Sequence, residues 1–240
     1  MNILITGTAG FIGYHLANKL VKYKHNVVGI DNLNNYYDVN LKKNRVKNLK
    51  KNKNYVFYKI DLCNFNKLDK IIKNNKINYI VHLAAQAGVR YSIKQPRVYF
   101  KSNLEGFFNI LEVTKIYKIK HLIFASTSSV YGDSKKFPLN ETDKTDSPLS
   151  FYAATKKSNE IMAHSYSYIH NIPCTAVRFF TVYGPYGRPD MALFKFTKNI
   201  IKNKPIDLYN NGNHLRDFTY IDDIVKGIIK TLDNPATKNI

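Results

Sequence analysis

A tyrosine and a lysine four residues apart form the pair in this sequence that is best suited to transfer a proton. Tyr152 and Lys156 are the first and last residues of the stretch YAATK, and side chains at this spacing lie on one face of a helix. A free phenol has a pKa of about 10 and is a poor base at neutral pH, but a nearby ammonium favours the phenolate. We therefore predict that Lys156 tunes Tyr152 for proton transfer. The alternative is an amphipathic helix whose lysine reaches solvent.

A run of four hydroxyl side chains strengthens the proton-transfer interpretation. Ser126, Thr127, Ser128 and Ser129 follow the apolar run HLIFA, which is typical of a buried strand. Hydroxyls at the carboxyl end of a parallel strand lie at the ligand crevice of an α/β sheet. We predict that a hydroxyl of this run shares a substrate proton with Tyr152.

Three glycines lie between a predicted strand and a predicted helix, in the turn GTAGFIG from Gly7 to Gly13. Glycine is needed where a side chain would block a pyrophosphate from a helix N-terminus, whose amides and dipole hold the anion. Asp31 ends the second predicted strand, 18 residues after Gly13. A carboxylate there accepts hydrogen bonds from ribose hydroxyls and repels a 2′-phosphate, which favours NAD over NADP. A tight turn beside an ordinary strand-capping aspartate is the alternative.

Two later segments fit the same cofactor. Asp61 and Leu62 follow the third predicted strand, where an acid can meet the adenine amino group. Residues 83–86 (LAAQ) follow the fourth strand, and their small side chains let the backbone approach the cofactor closely; helix–sheet packing is the alternative role for the alanines. The predicted cofactor contacts from these motifs are Gly7, Gly10, Phe11, Ile12, Gly13, Asp31, Asn32, Asp61, Leu62, Leu83, Ala84, Ala85 and Gln86.

Strands alternate with helices along the first 180 residues, which indicates an α/β fold with a doubly wound parallel sheet of the Rossmann type. The predicted strands are 2–6, 26–30, 55–60, 78–83, 121–125 and 174–179, and the predicted helices are 11–24, 39–50, 65–74, 97–117, 150–170 and 221–233. We predict an NAD-binding domain over 1–180 and a smaller C-terminal substrate lobe over 181–240. We expect that lobe to be truncated, because the last three residues carry no ending signal.

The composition is that of a globular protein, with 240 residues of which 44% are hydrophobic and 22% charged. It excludes collagen-like, low-complexity and wholly disordered chains. The net charge is +20, but the lysines are spread among asparagines through every segment, so we expect no nucleic-acid partner. We also expect no membrane span, no secretory leader, no metal site at the two cysteines, and a cytoplasmic location.

The glycine turn, the Tyr152/Lys156 pair and the hydroxyl run resemble the extended short-chain dehydrogenase/reductase superfamily. The stretches SSVYG over 128–132 and RFFTVYGPYGRPDMA over 178–192 narrow the likeness, within the NAD-dependent epimerases and dehydratases, to the UDP-glucuronate 4-epimerases of surface polysaccharide synthesis. The resemblance covers essentially the whole chain. It implies a tightly held NAD that is reduced and reoxidised in each turnover, and a homodimer formed through helices 97–117 and 150–170.

The resemblance also implies roles for individual residues. Tyr152 removes the C4 hydroxyl proton while C4 passes hydride to NAD, and the 4-keto sugar then turns over and receives hydride on its other face. Lys156 binds the nicotinamide ribose, and Thr127 occupies the position of the catalytic hydroxyl. Asn103 and Ser126 belong with the implied cofactor contacts.

The implied substrate is a UDP-linked uronic acid. Related dehydratases and decarboxylases usually carry an acidic residue in the segment matching 127–129, and this chain has none there. UDP-glucuronate has a C6 carboxylate, which a planar guanidinium suits; Arg188 supplies one, unless it is a surface loop arginine. The implied substrate contacts are Arg90, Thr127, Ser128, Ser129, Thr181, Arg188 and Arg216. Of these, Arg216 is expected to contact the diphosphate. Arg90 contacts the substrate or, as the alternative, faces solvent.

Other functions stay open from the sequence. Another nucleotide-sugar epimerase, acting on UDP-glucose and UDP-galactose, shares the superfamily motifs, and so does a decarboxylase or dehydratase. An NAD-binding regulatory protein predicts a degraded Tyr–Lys pair or hydroxyl run, and both are intact here.

Overall fold

Strands and helices alternate in the computed structural model, which describes residues 1–213 and 215–235. The alternation gives each strand a crossover connection, as a parallel sheet requires. In chain order the elements are β1 (Asn2–Thr6), α1 (Phe11–Lys22), β2 (Asn26–Asp31), α2 (Val39–Leu49), β3 (Tyr55–Lys59), α3 (Phe65–Asn74), β4 (Tyr79–His82), α4 (Val89–Lys94), α5 (Pro96–Tyr99), α6 (Gly106–Ile116), β5 (His121–Thr127), α7 (Phe151–His170), β6 (Cys174–Phe179), β7 (Thr181–Tyr183), α8 (Ala192–Ile201), β8 (Phe218–Tyr220) and α9 (Ile221–Asp233).

Six of these strands form one sheet in the order β3-β2-β1-β4-β5-β6. Every neighbouring pair is parallel. The chain order reverses between β1 and β4, which is the switch point where doubly wound sheets bind their ligands. The predicted Rossmann-type fold is confirmed.

The sheet is buried on both faces because successive side chains of its strands point to opposite sides. Ile3 and Ile5 of β1 pack with α1 and α9 on one face. Leu4, between them, packs with α3 and α6 on the other. All three are fully buried, so each face carries its own apolar core and the carboxyl ends of the strands are held in one plane.

The long helix predicted over 97–117 runs over 96–116 and changes its winding on the way. α5 leads into a π-helical stretch at Phe100–Glu105, and α6 continues from Gly106. Short π-helical segments are frequent at functional sites because they redirect a side chain. Here the π-helical stretch carries Asn103, whose side chain is fully buried.

Several predicted elements have the predicted bounds, including the helix over 65–74, the strand over 174–179 and the helix over 221–233. No separate prediction covers α4, β7, α8 or β8. These elements are short, and the periodic signal of a short segment is weak.

Beyond residue 180 the chain forms a second, two-stranded sheet in which β7 and β8 are parallel. α8 buries none of its side chains, whereas α9 returns to the main core and buries Ile221, Val225, Ile228 and Leu232 against α1. The predicted boundary at 180 therefore does not separate two cores among the described residues. Residues 214 and 236–240 of the predicted lobe lie outside the described residues.

Over the ranges that the structure describes, no helix combines the length and the apolar character needed to cross a bilayer. The same ranges contain no group of three or more His, Cys, Asp or Glu side chains arranged to hold a metal. Cys63 and Cys174 are free thiols.

Candidate functional site

The glycine turn brings β1, β4 and the start of α1 together. Gly7 has a φ of +75°, and a Cβ on it would lie 2.8 Å from the backbone nitrogen of Ala84. A Cβ on Gly10 would lie 2.9 Å from the Gly7 carbonyl oxygen, and one on Gly13 would overlap that same oxygen. The turn closes only without side chains, and its backbone then leads directly into the N-terminus of α1.

The first turn of α1 offers backbone donors to an anion. Gly10 precedes the helix and makes no side-chain capping bond, and the first amides of a helix have no acceptor inside it. These amides and the helix dipole suit a phosphate group. Of the predicted contacts here, Phe11 and Ile12 can offer their amides, because the Phe11 side chain is buried in the core and Ile12 packs against it.

Asp31 ends β2 beside the glycine turn. Its Oδ2 accepts a hydrogen bond from the amide of Ala9 at 3.2 Å, and its Oδ1 accepts one from the amide of Leu33 at 2.8 Å. Burial raises the pKa of the Asp31 carboxyl above its ordinary value, against the two amide bonds, which lower it. The carboxylate thus adjoins the turn that we predict to hold the pyrophosphate.

A second carboxylate, Asp61, follows β3. It accepts hydrogen bonds from Nδ2 of Asn32 at 3.1 Å and from the amide of Cys63 at 3.0 Å. Burial raises the pKa of Asp61, but these bonds outweigh burial and leave the pKa below its ordinary value. Leu62 buries its side chain in the core, so its backbone is the part that can face a ligand. A cavity of about 560 Å³ adjoins this carboxylate and is lined by Asp61, Cys63, Asn64, Phe65, Asn66, Lys101 and Glu105.

The segment after β4 is held by hydrogen bonds to a threonine of β1. The amides of Leu83 and Ala84 both donate to Oγ1 of Thr6, at 3.2 Å and 3.1 Å. Ala84 and Ala85 are half-buried, and the space that Gly7 would need for a Cβ is filled by the Ala84 backbone. Ala84 also packs against the core, which fits the packing alternative, and the contacts of these residues with a cofactor stay predictions.

Asn103 fixes the end of the same segment. Its Oδ1 accepts from the amide of Gln86 at 2.8 Å, and its Nδ2 donates to the carbonyl of Gln86 at 3.1 Å and to Oγ1 of Thr155 at 3.0 Å. Asn103 is fully buried, so its side chain joins the β4 loop to α7 and has no exposed surface for a cofactor.

Lys156 is directed toward the sheet. It is 2% exposed, and its Nζ donates to the carbonyl of Ala125 in β5 at 2.9 Å. Burial lowers the pKa of the Lys156 ammonium to about 8. The side chain therefore fastens the second turn of α7 to the carboxyl-terminal part of β5.

The Tyr152 phenol is influenced by a second cation, which the sequence reasoning did not assign to it. Burial raises the pKa of this phenol, and the largest opposing influence is the guanidinium of Arg188, followed by a hydrogen bond with Thr127. The ammonium of Lys156 is bonded to the carbonyl of Ala125, and its predicted effect on the Tyr152 phenol stays a prediction.

The hydroxyl side chains of Ser126 and Thr127 point to opposite faces of the sheet, as successive side chains of a strand do. Ser126 donates through Oγ to Oε1 of Glu160 at 2.5 Å, so its hydroxyl is engaged within the protein. Thr127 donates to Oγ of Ser129 and accepts from the Ser129 amide, both at 3.2 Å. Ser128 is half-buried beside them.

A buried ion pair behind this run escaped the sequence reasoning. Arg178 donates from Nε to Oε1 of Glu160 at 3.0 Å and from Nη2 to Oε2 at 2.9 Å, which is the two-pronged geometry that a guanidinium and a carboxylate favour. Nη1 of Arg178 donates to the Tyr131 hydroxyl at 3.1 Å. Together with the bond to Ser126, the pair joins α7, β5 and β6 at the edge of the site.

Arg188 lies in the loop between β7 and α8 and is paired. Its Nε and Nη2 donate to the two carboxylate oxygens of Asp190 at 3.1 Å and 2.5 Å. The Tyr36 hydroxyl, from the loop after β2, donates to the same carboxylate at 3.0 Å. The Arg188 side chain is 25% exposed, which argues against an ordinary surface arginine.

The remaining predicted substrate contacts lie around the rim. Thr181 is half-buried at the start of β7, where its amide donates to the Asp217 carbonyl at 3.2 Å. Arg90 is exposed on α4, and Arg216 is exposed with Nη1 donating to the carbonyl of Leu215. Their contacts with a substrate stay predictions.

One compositional signal could have found the missed residues. Only six of the 37 basic side chains in the sequence are arginines, and three of the six make multiple hydrogen bonds in or beside the site. These three are Arg45, Arg178 and Arg188. In a lysine-rich chain, an arginine marks a position where a planar, multiply bonded cation is needed.

Comparisons with known proteins agree with this geometry. The family model described as "NAD dependent epimerase/dehydratase family" matches residues 3–240. Protein CapI of Staphylococcus aureus is 56% identical over 239 residues, which cover 100% of this chain and 71% of CapI. The UDP-glucuronate 4-epimerase of Thermodesulfobacterium geofontis is 48% identical over 229 residues, covering 95% of this chain and 71% of the relative. The crystal structure of UDP-glucuronic acid 4-epimerase from Bacillus cereus, in complex with UDP-glucuronic acid and NAD, superposes with a TM-score of 0.92 at 39% identity and covers 100% of this chain and 75% of that one.

Replacing Glu160 with glutamine tests the buried pair. Burial raises the pKa of Glu160, but the bonds from Arg178 and Ser126 outweigh it and hold the pKa below the ordinary 4.5. The carboxylate therefore stabilises the fold above about pH 4.5, and this stabilisation is lost as the pH falls through the lower folded-state pKa. We expect Glu160→Gln to lower the free energy of unfolding by about 2–4 kcal/mol at pH 7, with the difference closing in acid.

Urea unfolding at pH 7 and at steps below pH 4.5 measures both effects. Asp223→Asn is the matched control, because Asp223 forms an exposed ion pair with Lys226; it should change the free energy by less than about 1 kcal/mol. Equal stability of Glu160→Gln and the wild type at pH 7 would contradict this assignment.

Proposed function

The chain belongs to the NAD dependent epimerase/dehydratase family, and from that premise we propose that it inverts C4 of UDP-glucuronate to give UDP-galacturonate. It is an NAD-dependent isomerase of nucleotide sugars. The observation that carries the proposal is that the Arg188 guanidinium and the Thr127 hydroxyl both act to lower the pKa of the Tyr152 phenol, at the carboxyl edge of the sheet. A proton-transfer group and a carboxylate-binding group then share one site.

The backbone around the glycine turn fits the cofactor. A Cβ at Gly7 would collide with the backbone of Ala84, and one at Gly10 with the carbonyl oxygen of Gly7, so the turn stays free of side chains beside the N-terminus of α1. The residues that would hold NAD are the amides of this turn, Asp31 at the adenosine ribose, and the Asp61 carboxylate beside the neighbouring cavity. When bound, NAD supplies the acceptor and donor of hydride for C4.

The proton step falls to Tyr152. Its phenolate accepts the proton of the C4 hydroxyl and later returns it, with the Thr127 hydroxyl sharing the same oxygen. Burial opposes the phenolate and Arg188 favours it. Lys156 holds the end of β5, through Ala125, at the position from which Thr127 reaches the sugar.

The carboxylate of the substrate is held by Arg188 and the hydroxyls of 127–129. The 4-keto intermediate is a β-keto acid, which loses CO₂ most readily when the bond to the carboxylate stands perpendicular to the ketone plane. A guanidinium fixed by its own partners restrains the carboxylate to one orientation. We propose that this restraint keeps the carboxylate away from the reactive geometry.

We also propose a homodimer located in the cytoplasm that serves surface polysaccharide synthesis. The dimer proposal is supported by apolar side chains that remain 45–71% exposed on the helix over 96–116 and on α7, namely Phe100, Phe108, Ile116, Ile161, Tyr168 and Ile169. An exposed patch of this kind marks an interaction surface. The cellular role rests on the sequence resemblance.

NMR of the purified protein with UDP-glucuronate, and with no added NAD, tests the proposed reaction. We expect retained cofactor to support conversion to UDP-galacturonate until the two epimers reach equilibrium, with little CO₂ loss. UDP-glucose and UDP-xylose supplied separately should turn over at least tenfold more slowly. Faster turnover of UDP-glucose, or a pentose as the main product, would replace this function with one of the alternatives.

Removing the guanidinium of Arg188 tests the carboxylate site. Arg188→Ala should raise the KM for UDP-glucuronate about 10- to 100-fold, because it removes charge-assisted hydrogen bonds to the carboxylate. It should also raise the share of pentose product, measured by NMR in the same reaction. Arg97→Ala, at an exposed arginine of α5, is the control that keeps both values. An unchanged KM in Arg188→Ala rules out this role.

Charges placed on the exposed apolar patch test the dimer. The double variant Phe108→Glu/Ile161→Glu should sediment as a 27.7 kDa monomer, whereas the wild type sediments at about twice that mass. Leu193→Glu on α8, which is 55% exposed on a different surface, should leave the mass of the wild type unchanged. A wild-type monomer, or a dimer that survives both charges, contradicts the assignment.

A further inference from the structure

The loop that carries Arg188 is held by a buried arginine of α2. Arg45 is fully buried. Its Nη2 donates to the carbonyls of Tyr186 and Gly187, at 2.5 Å and 3.3 Å. Its Nη1 donates to the carbonyl of Ala9 in the glycine turn at 2.7 Å and to the Tyr37 hydroxyl at 2.8 Å. One guanidinium therefore joins the cofactor-binding turn to the two residues that precede Arg188.

The hydrogen bonds of Arg45 require an arginine side chain at this position. All four of its acceptors are neutral oxygens from three separate segments, and a planar fork of donors can reach them together where a single ammonium cannot. Burying a cation without an ion-pair partner is costly, and the hydrogen bonds to these four oxygens offset part of that cost. Tyr186 has a φ of +55°, a conformation that side-chain-bearing residues adopt rarely, and its carbonyl is the acceptor of the shortest of these bonds.

The side-chain partner of Arg188, Asp190, is held by a residue of the loop that precedes α2. Tyr36 precedes α2, and its hydroxyl donates to Oδ2 of Asp190 at 3.0 Å. Asp190 in turn occupies Nε and Nη2 of Arg188. Arg188 is thus fixed through its preceding backbone by Arg45 and through its side-chain partner by Tyr36.

We propose that Tyr36 and Arg45 are positioning residues that set the direction of the Arg188 guanidinium and thereby select a sugar that bears a carboxylate. The inference rests on the proposed function and deepens it. Neither residue touches the substrate; both act through the loop. Displacing a binding group by about 1 Å from its productive position costs roughly 100-fold, so small changes in this loop should be felt by the carboxylate of the sugar and hardly by the distant nucleotide.

The test compares two ligands that share the nucleotide and differ in the sugar acid. The KM for UDP-glucuronate and the competitive inhibition constant of UDP are measured in one assay of the NAD-loaded enzyme. Tyr36→Phe and Arg45→Lys should raise the KM at least fivefold while the inhibition constant of UDP stays within twofold. A role confined to folding would move both constants together, or would lower the melting temperature and leave their ratio unchanged.

Lys43→Gln is the matched control. Lys43 is an exposed cation of the same helix, α2. The control should keep the ratio of the two constants at the wild-type value.

Each remaining outcome decides the proposal. If Arg45→Lys fails to fold, Tyr36→Phe decides alone, because it removes one hydroxyl and no buried charge. An unchanged ratio of the KM to the inhibition constant of UDP in Tyr36→Phe, or an equal rise of this ratio in Lys43→Gln, overturns the inference and leaves the proposed function standing. A wild-type enzyme that does not turn over UDP-glucuronate overturns the proposed function first and this inference with it.

Discussion

Partial burial of the Tyr152 side chain, which raises the pKa of its phenol, is the constraint on which the chemistry of this site depends. A buried phenol holds its proton more tightly than one in water, so a nearby positive charge is needed before it can act as a base. In this structure the guanidinium of Arg188, which lies in a loop beyond the sheet, supplies such a charge, while the ammonium of Lys156 donates to the carbonyl of Ala125. If the same guanidinium holds the carboxylate of the sugar, recognition of the substrate and the proton step depend on one cation and are linked.

The ends of the strands are fixed by a few buried charges that each reach across the fold. Lys156 fastens α7 to β5, the Arg178–Glu160 pair fastens α7 to β6, and Arg45 fastens the glycine turn to the loop before Arg188. Each of these cations is multiply bonded or fully enclosed, which is the condition under which a buried charge orders its surroundings. The carboxyl edge of the sheet is consequently a rigid support for groups that come from six different segments.

The fold could be predicted from the sequence because its signals are local. Buried parallel strands appear as short apolar runs and their helices as regular spacings, and the glycine turn is a motif of seven consecutive residues. Tyr152, Lys156 and Thr127 could be named as site residues from the sequence because they also belong to short local motifs. The influence of Arg188 on Tyr152 could not be named in this way, because Arg188 is distant in sequence and the helical spacing of Lys156 suggested a nearer cation. The contacts of Tyr36, Arg45 and Glu160 also join residues that are far apart in sequence. Among 37 basic side chains, the sequence gives no sign of which few are buried.

The pH titration of the Tyr152 phenol shows which cation counteracts its burial. The absorbance of the phenolate near 295 nm, taken as the difference between the NAD-loaded enzyme and its Tyr152→Phe variant, isolates this one hydroxyl among the 18 tyrosines. The same difference is then measured in the Arg188→Gln and Lys156→Met backgrounds. The account predicts that the transition shifts to higher pH when Arg188 is removed and shifts less when Lys156 is removed. A transition that stays in place without Arg188, and rises without Lys156, would contradict it.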